Sequence, residues 1–461
     1  MYPEITFLGA TESVTGSRYL IDSGTFKLLI DAGLYQGSKS LEDKNWERFY
    51  INPKEIDAIV VTHAHLDHCG YLPLLVREGF SGNIYATLCT RKLAGVILRD
   101  SAHLQMEDAK YAQHKGYSKH KNPLALYNLE DVEKTLTHFV DVPYHHPLNL
   151  EDGFTVAFYP SGHILGSAYL VTEVLNKKIL STSDMGRPTH PILVSPEDPP
   201  QENFDVVVTE STYGNRIHET SPEEFGEVVA QALSRGGVVL IPAFAVDRTE
   251  VILMALRDAV VRGKIPKVPI FVDSPMALAS LAFYREAITS DAPEVREDIK
   301  AIYSKNDPFD PGTLYQMSTV EESKTLNEID KPCIIISASG MASGGRVVHH
   351  LAHLLPHSKN TVILVGFQSA GSRGHALAQG DKEIRIHGEM VPVHAMVKSV
   401  ESFSVHADSD ELISWLKKIP STKKAYAVHG EPEASDALVK KITQELHWKA
   451  EVPKAEHPYQ I

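Results

Sequence analysis

Apolar residues in the first two hundred positions fall in short β-branched runs, mostly bounded by Gly, Ser, Asn or Pro. The runs Glu4–Leu8, Tyr19–Asp22, Lys27–Asp31, Ala58–Thr62, Thr155–Tyr159, Ala168–Val174 and Lys178–Ser181 read as strands. Helices are few there, and a stretch from about Arg91 to Lys110 has helical character. Ser195-Pro-Glu-Asp-Pro-Pro-Gln-Glu-Asn is a polar, proline-rich connection and a candidate boundary. Beyond it strands and helices alternate. Ser221-Pro222-Glu223-Glu224 reads as a capping box with proline at the first helical position, and its helix stops at Gly236-Gly237. Val238–Pro242 follows as a buried strand, then a helix from Arg248 and a strand over Pro269–Asp273. Strands at Cys333–Ser337 and Thr361–Val365 flank a helical stretch over Arg346–Leu355, the alternation of βα units around a parallel sheet. Ala395–Val397 and Ala425–His429 bracket a final helix over Ser409–Lys418.

The chain has 461 residues, 43% hydrophobic and 23% charged, the composition of a soluble globular protein with room for a large core. No apolar run is long enough for a membrane span, and the amino end reads as a strand rather than a secretion signal, so the expected location is the cytoplasm. Three scattered cysteines exclude a disulfide framework and a thiolate metal site, so any metal must use nitrogen and oxygen ligands. A net charge of −14 argues against a nonspecific nucleic-acid coat, though not against a locally basic cleft. The 23 histidines draw attention by their positions.

Val60-Val-Thr-His63-Ala-His65-Leu-Asp67-His68 places three histidines and an aspartate directly after an apolar strand. A tight turn can aim this density of imidazole and carboxylate at two neighbouring metal ions, whereas a regular helix or strand would scatter it. With Leu29-Ile-Asp31-Ala-Gly33, Ser161-Gly-His163-Ile-Leu-Gly-Ser-Ala and Ser181-Thr-Ser-Asp184-Met-Gly, in that order, the sequence resembles the metallo-β-lactamase superfamily. The resemblance implies that His63, His65 and His163 hold one zinc, Asp67 and His68 the second, that Asp184 bridges both, and that Asp31 orients a ligand from behind. Flavin-partnered di-iron members carry glutamate where this chain has His65, which favours hydrolysis over redox chemistry.

Simple lactamases and glyoxalase-like thioesterases are much shorter. Val208-Thr-Glu210-Ser-Thr-Tyr-Gly-Asn, Ile241-Pro-Ala-Phe-Ala-Val-Asp-Arg248, Asp273-Ser-Pro-Met, Ser339-Gly-Met-Ala-Ser-Gly-Gly-Arg346 and Ser402-Phe-Ser-Val-His406-Ala-Asp408 resemble the β-CASP branch. That branch includes the endonuclease subunit of the eukaryotic pre-mRNA 3′-end cleavage complex and its prokaryotic relatives. The resemblance covers essentially the whole chain. It implies an α/β protein in which an αββα metallo-β-lactamase sandwich, residues 1–209 and 374–461, carries an inserted β-CASP domain, a parallel sheet flanked by helices, over residues 210–373. Glu210 matches the first acidic motif of the branch, and His406 its last histidine, the remaining ligand of the second zinc. His375, in Gly366-Phe-Gln-Ser-Ala-Gly-Ser-Arg-Gly-His375, matches the middle motif and tilts the substrate toward RNA.

The chemistry so implied is zinc-dependent hydrolysis of RNA phosphodiesters by a hydroxide bridging two zinc ions about 3.5–4 Å apart, leaving 5′-phosphate and 3′-hydroxyl ends. Asp67, Glu210 and His375 are the implied catalytic residues, with His375 a proton donor helped by Glu210 or else a phosphate contact. RNA is the expected partner, a membrane is not, and a homodimer is compatible with the branch. The alternatives are a small-molecule metallohydrolase acting on a thioester or lactam, a DNA nuclease, and an inactive scaffold; scaffolds of this branch have lost ligands that this chain retains. Lys110–Lys121 interleaves basic residues with Tyr111 and Tyr117, as a nucleic-acid arm or only a solvated one. The glycines around Gly340, Gly344 and Gly345 would offer N–H groups to a phosphate or simply allow close packing. His145-His146 and His349-His350 lack ligand spacing, and His429 in Val428-His-Gly-Glu431 is read as lying near the cleft without being a ligand.

Overall fold

The computed structural model describes residues 2–115, 124–218, 222–366, 368, 371–400 and 403–461. Residues 116–121 of the basic stretch, Ser221 of the capping box, Ser402 and parts of the Gly366–His375 motif lie outside them. The chain forms two compact units: Met1–Ile217 with His406–Ile461, and His218–Val405. Among the described residues no helix is long and apolar enough to cross a membrane.

The first unit is built on two seven-stranded sheets among the described residues. One carries Glu4–Phe7, Tyr19–Asp22, Lys27–Ile30, Ala58–Val60 and Asn83–Ala86 in that spatial order, with Pro458–Gln460 and Phe139–Asp141 at its edges. The other runs Ser421–Val428, Asn203–Glu210, Lys177–Ser181, Ala168–Val174 and Thr155–Pro160, edged by Ala450–Glu451 and Leu148–Asn149. Strand residues alternate faces, and the alternation writes the layers. Ile5, Ile21, Leu28, Ile30 and Val60 of the first sheet meet Val156, Phe158, Leu170, Ile179, Val206, Val208 and Val428 of the second in one core. The intervening Leu180, Val207, Ala425 and Ala427 face the opposite way, onto Leu412, Leu416 and Leu438 of helices Ser409–Leu416 and Pro432–Lys441. Leu29, Ile59 and Ile84 are equally buried on the outer side of the first sheet, the side of helices Leu72–Arg77, Leu88–Lys115 and Leu129–Leu136. This is the αββα sandwich the resemblance implies. The proline-rich connection is not where the units divide. It leads into Asn203–Glu210, a strand not among those read from the sequence, which pairs in parallel with both Lys177–Ser181 and Ser421–Val428.

The second unit holds a six-stranded parallel sheet in the order Leu314–Gln316, Ile270–Val272, Cys333–Ser337, Val238–Pro242, Thr361–Leu364, Met396–Ser399. One face packs Leu240, Ile335 and Val362 against Val347, Leu351 and Leu354 of helix Arg346–Leu354. Three of the residues singled out by sequence, Asp273, Arg346 and His350, act structurally here. The buried Asp273 carboxylate, at the end of Ile270–Val272, accepts from Arg346 Nη1 at 2.7 Å, His350 Nε2 at 2.6 Å and Ser323 Oγ at 2.6 Å. Burial alone would raise its pKa, but the bonds from His350, Ser323 and Arg346 outweigh that and lower it.

A carboxylate whose folded pKa is depressed contributes stability that is present above its unfolded value, near 4, and is lost as pH falls through the folded value. Asp273→Ala strands the Arg346 and His350 groups beneath the sheet and should cost about 3–5 kcal/mol at pH 7. Urea unfolding followed by circular dichroism measures this, and the loss should shrink when the titration is repeated below pH 4; an acid-independent loss would assign the cost to packing alone.

Candidate metal centre

The turn that carries His63, His65, Asp67 and His68 leaves strand Ala58–Val60 and enters the short helix Leu66–Cys69. Its backbone is clamped by the neighbouring strand ends. Ser17 N–H donates to Asp67 O at 2.8 Å, Ala32 N–H to His68 O at 2.7 Å and Leu34 N–H to Leu66 O at 3.0 Å. Gly33 allows this approach, since a Cβ there would lie 1.6 Å from Asp67 O. Asp31, just beyond strand Lys27–Ile30, fixes the side chains. Its Oδ1 accepts the Thr62 N–H at 2.8 Å, and its Oδ2 accepts the Thr62 hydroxyl at 2.8 Å and His68 Nδ1–H at 2.7 Å. With Nδ1 engaged, His68 presents Nε2 inward, which is the role anticipated for Asp31.

His163 follows strand Thr155–Pro160, and the Ser167 hydroxyl accepts its N–H at 3.1 Å. His163 Nε2 and His63 Nε2 each lie 3.2 Å from His65 Nδ1. Four ligands about 2.0–2.1 Å from one zinc ion have tetrahedral edges of about 3.3 Å, so this spacing suits a shared cation. Burial, then the neighbouring His68, pushes His63 down to about 4; burial, then His63, takes His65 to about 3; His163 falls well below the usual histidine range for the same first reason. Neutral imidazoles are the form that binds metal.

Asp184, after strand Lys177–Ser181, lies between two groups of side chains. Its Oδ2 is 3.4 Å from His63 Nε2 and 3.6 Å from His163 Nε2; its Oδ1 is 3.3 Å from His68 Nε2 and 3.6 Å from His429 Nδ1. Burial opposes ionisation, yet His429, His68 and His63 hold its carboxyl well below the carboxylate range. Asp184 Oδ1 is buried with no hydrogen-bond partner among the described residues, although Asp184 is a charged group. A buried, ionised and unpartnered oxygen facing imidazole nitrogens is what a cation would satisfy, and the oxygen–nitrogen donor set suits zinc.

The second group corrects the sequence reading. Asp67, His68 and His429 bring one ligand atom each within 4.8 Å of one another. His429 Nε2 is 3.1 Å from His68 Nε2 and 3.3 Å from Asp67 Oδ2. His406, expected in that place, stands with Glu210 instead: its Nδ1 is 3.0 Å from Glu210 Oε2 and 4.0 Å from Asp184 Oδ2. The other Glu210 oxygen accepts the Met185 N–H, so Glu210 serves His406 and the backbone beside Asp184, and the expected pairing with His375 is replaced. The reason is register. Glu210 pairs with Val428 across parallel strands, so the next residue, His429, emerges at the same end of the sheet. His406 reaches the site from the loop before helix Ser409–Leu416, through a bridge to Gly186. Histidine after an apolar strand was the available signal for His429. His375 lies in the second unit, near the start of helix Arg373–Gln379, with its N–H on Ser372 Oγ at 3.1 Å and its Nδ1 3.3 Å from Gln368 O.

Three family models match the chain: a metallo-β-lactamase superfamily domain over residues 20–189, a Beta-Casp domain over 249–377, and a Zn-dependent metallo-hydrolase RNA specificity domain over 390–453. The chain is 38% identical over 435 residues to Ribonuclease TTHA0252 of Thermus thermophilus, covering 94% of each protein. It is 30% identical over 454 residues to the RNase J-like protein of Methanocaldococcus jannaschii, covering 97% of each. It is 29% identical over 445 residues to the transcription termination factor FttA of the same organism, covering 93% of this chain and 67% of that one. A crystal structure of a protein of unknown function from Enterococcus faecalis superposes over 100% of both chains with a TM-score of 0.56 at 12% identity, a likeness of fold.

Asp31→Asn keeps the size of the side chain but puts an NH2 group where Thr62 or His68 donates. With the His68 ring no longer fixed, zinc affinity should fall about 10- to 100-fold, read by titrating the metal-free protein against a chromophoric chelator. Wild-type affinity in the variant would show that Asp31 does not aim His68.

Proposed function

The chain belongs to the metallo-β-lactamase superfamily and its β-CASP branch, and we propose that it is a zinc-dependent ribonuclease that hydrolyses RNA phosphodiesters to 5′-phosphate and 3′-hydroxyl ends. The observation that carries this reading is the Asp184 carboxylate, which turns one oxygen to His63 and His163 and the other to His68 and His429, with the Glu210–His406 pair alongside. His63, His65, His163 and Asp184 would hold one zinc; Asp67, His68, His429 and Asp184 the other. Two zinc ions, when bound, supply a water of lowered pKa and positive charge for the phosphate oxygens. The names of the 38% and 30% identical relatives support RNA as substrate.

The chain's own residues supply the rest. Departure of a ribose oxygen as alkoxide is slow at neutral pH, so the site wants a proton donor. Glu210 accepts Nδ1–H of His406, and Nε2, the other proton-bearing atom of the ring, is the one assigned to give the proton. Burial would lower the pKa of His406, but Glu210, by charge and by hydrogen bond, and then Asp184 raise it. The proton is handed from His406 Nε2 to the departing 3′ oxygen, and Glu210 stabilises the ring before transfer. His375, at its helix start, is assigned to contact with substrate rather than to proton transfer.

Asp184→Ala should abolish cleavage of 5′-labelled RNA and lose bound zinc while circular dichroism stays unchanged, because the sheet core does not use that side chain. Wild-type products should carry 5′-phosphate ends, and cyclic 2′,3′-phosphates would overturn the hydrolytic reading.

His406→Ala should retain two zinc ions and RNA affinity but lose about 10²–10⁴ in kcat. His375→Ala should raise KM more than it lowers kcat. The reverse split between the two variants would return proton donation to His375.

A further inference from the structure

Thr212 is two residues beyond Glu210, and its hydroxyl touches His429 twice. Thr212 Oγ1 donates to His429 O at 3.1 Å and lies 3.2 Å from His429 Nδ1. A hydroxyl has a single proton. With that proton on the carbonyl, Oγ1 is left to accept from Nδ1–H, the tautomer in which a bare Nε2 offers its lone pair to a cation. The other neighbour of Nδ1, Asp184 Oδ1, is 3.6 Å away, beyond hydrogen-bond range. The bare Nε2 is the atom beside Asp67 Oδ2 and His68 Nε2, and His68 has its own Nδ1 on Asp31.

The backbone of His429 is held by other means. Its N–H donates to Ala10 O at 2.6 Å, Ser211 Oγ donates to Val428 O at 2.7 Å, and a Cβ on Gly430 would lie 2.3 Å from Ser211 Oγ. What these contacts leave undetermined is the rotation and tautomer of the ring.

We propose that Thr212 is a positioning residue for the second metal ion, fixing His429 in the Nδ1–H tautomer so that Nε2 faces the cation. The proposal rests on the two-metal reading above. Thr212 stands to His429 as Asp31 stands to His68, so both imidazoles of the second group are aimed from behind, one by a carboxylate and one by a hydroxyl.

The test is zinc titration of metal-free full-length protein against a chromophoric chelator, for wild type, Thr212→Val and Thr212→Ser. Wild type should take up two ions. Thr212→Val, which keeps the shape and removes the hydroxyl, should hold the first as wild type does and the second about 10- to 100-fold more weakly, and Thr212→Ser should restore it. The intact first site reports that the variant is folded. A second ion held by Thr212→Val with wild-type affinity overturns the proposal and leaves the two-metal reading standing, as does a Thr212→Ser variant no better than valine. Loss of both ions together in Thr212→Val assigns Thr212 to the fold and also overturns it. Wild-type protein that takes up fewer than two ions defeats the two-metal reading and this proposal with it.

Discussion

The first unit is organised around one electrostatic problem: a buried carboxylate, Asp184, with imidazoles of four histidines within 3.6 Å of its oxygens. An ionised carboxylate away from water is costly unless opposite charge or hydrogen bonds face it, and here Oδ1 has no hydrogen-bond partner among the described residues. Three of the rings in and beside this cluster are fixed from outside. Asp31 holds His68, Glu210 holds His406, and Thr212 holds His429. The sheets supply the precision these contacts need, since the side chains stand on strand ends whose backbones are tied to neighbouring strands.

Charge divides the same pocket into two kinds of histidine. His63, His65 and His163 are surrounded mainly by one another and by apolar burial, and are driven neutral. For His68, His429 and His406 burial pulls the same way, but carboxylates on more than one side outweigh it and raise them. Neutral rings are ready to ligate, His68 and His429 would release a proton on taking up a cation, and His406, backed by Glu210, stands beside both groups of ligands. The second unit makes the contrast from the other side. Its His350 is buried and bound to Asp273, and Asp273 also takes Arg346 and Ser323, so that carboxylate is met by hydrogen-bond donors of its own unit.

Much of this was legible in the order of residues. Strands ending at Ile30, Val60, Pro160 and Ser181 could be read from β-branched runs, and Asp31, the turn His63–His68, His163 and Asp184 each follow such a run closely. Close sequence spacing on a strand-to-turn junction constrains direction, and the structure brings His63, His65, His163 and Asp184 within reach of one another. The helix Leu129–Leu136, despite its Asn128–Asp131 capping box, and the strand Asn203–Glu210, despite its valines, were not among the elements read. The first is short and largely polar, and the second begins directly after a proline-rich stretch that resembles a linker.

The sequence by itself determined the strand ends, the tight histidine turn with its oxygen and nitrogen donors and the βα alternation of the middle of the chain, because those signals are local: period-two burial, turns and ligand spacing; the αββα sandwich with an inserted domain was implied by resemblance to its family. Only the tertiary structure decided the roles of His406 and His429. Both follow apolar residues near the end of the chain, and no local pattern says which ring meets His68, 361 residues before His429. That choice is made by the parallel pairing of Glu210 with Val428, which carries His429 to the second group and leaves Glu210 beside His406. Register between distant strands is a property of the packed sheets, so it can assign a ligand that spacing along the chain cannot.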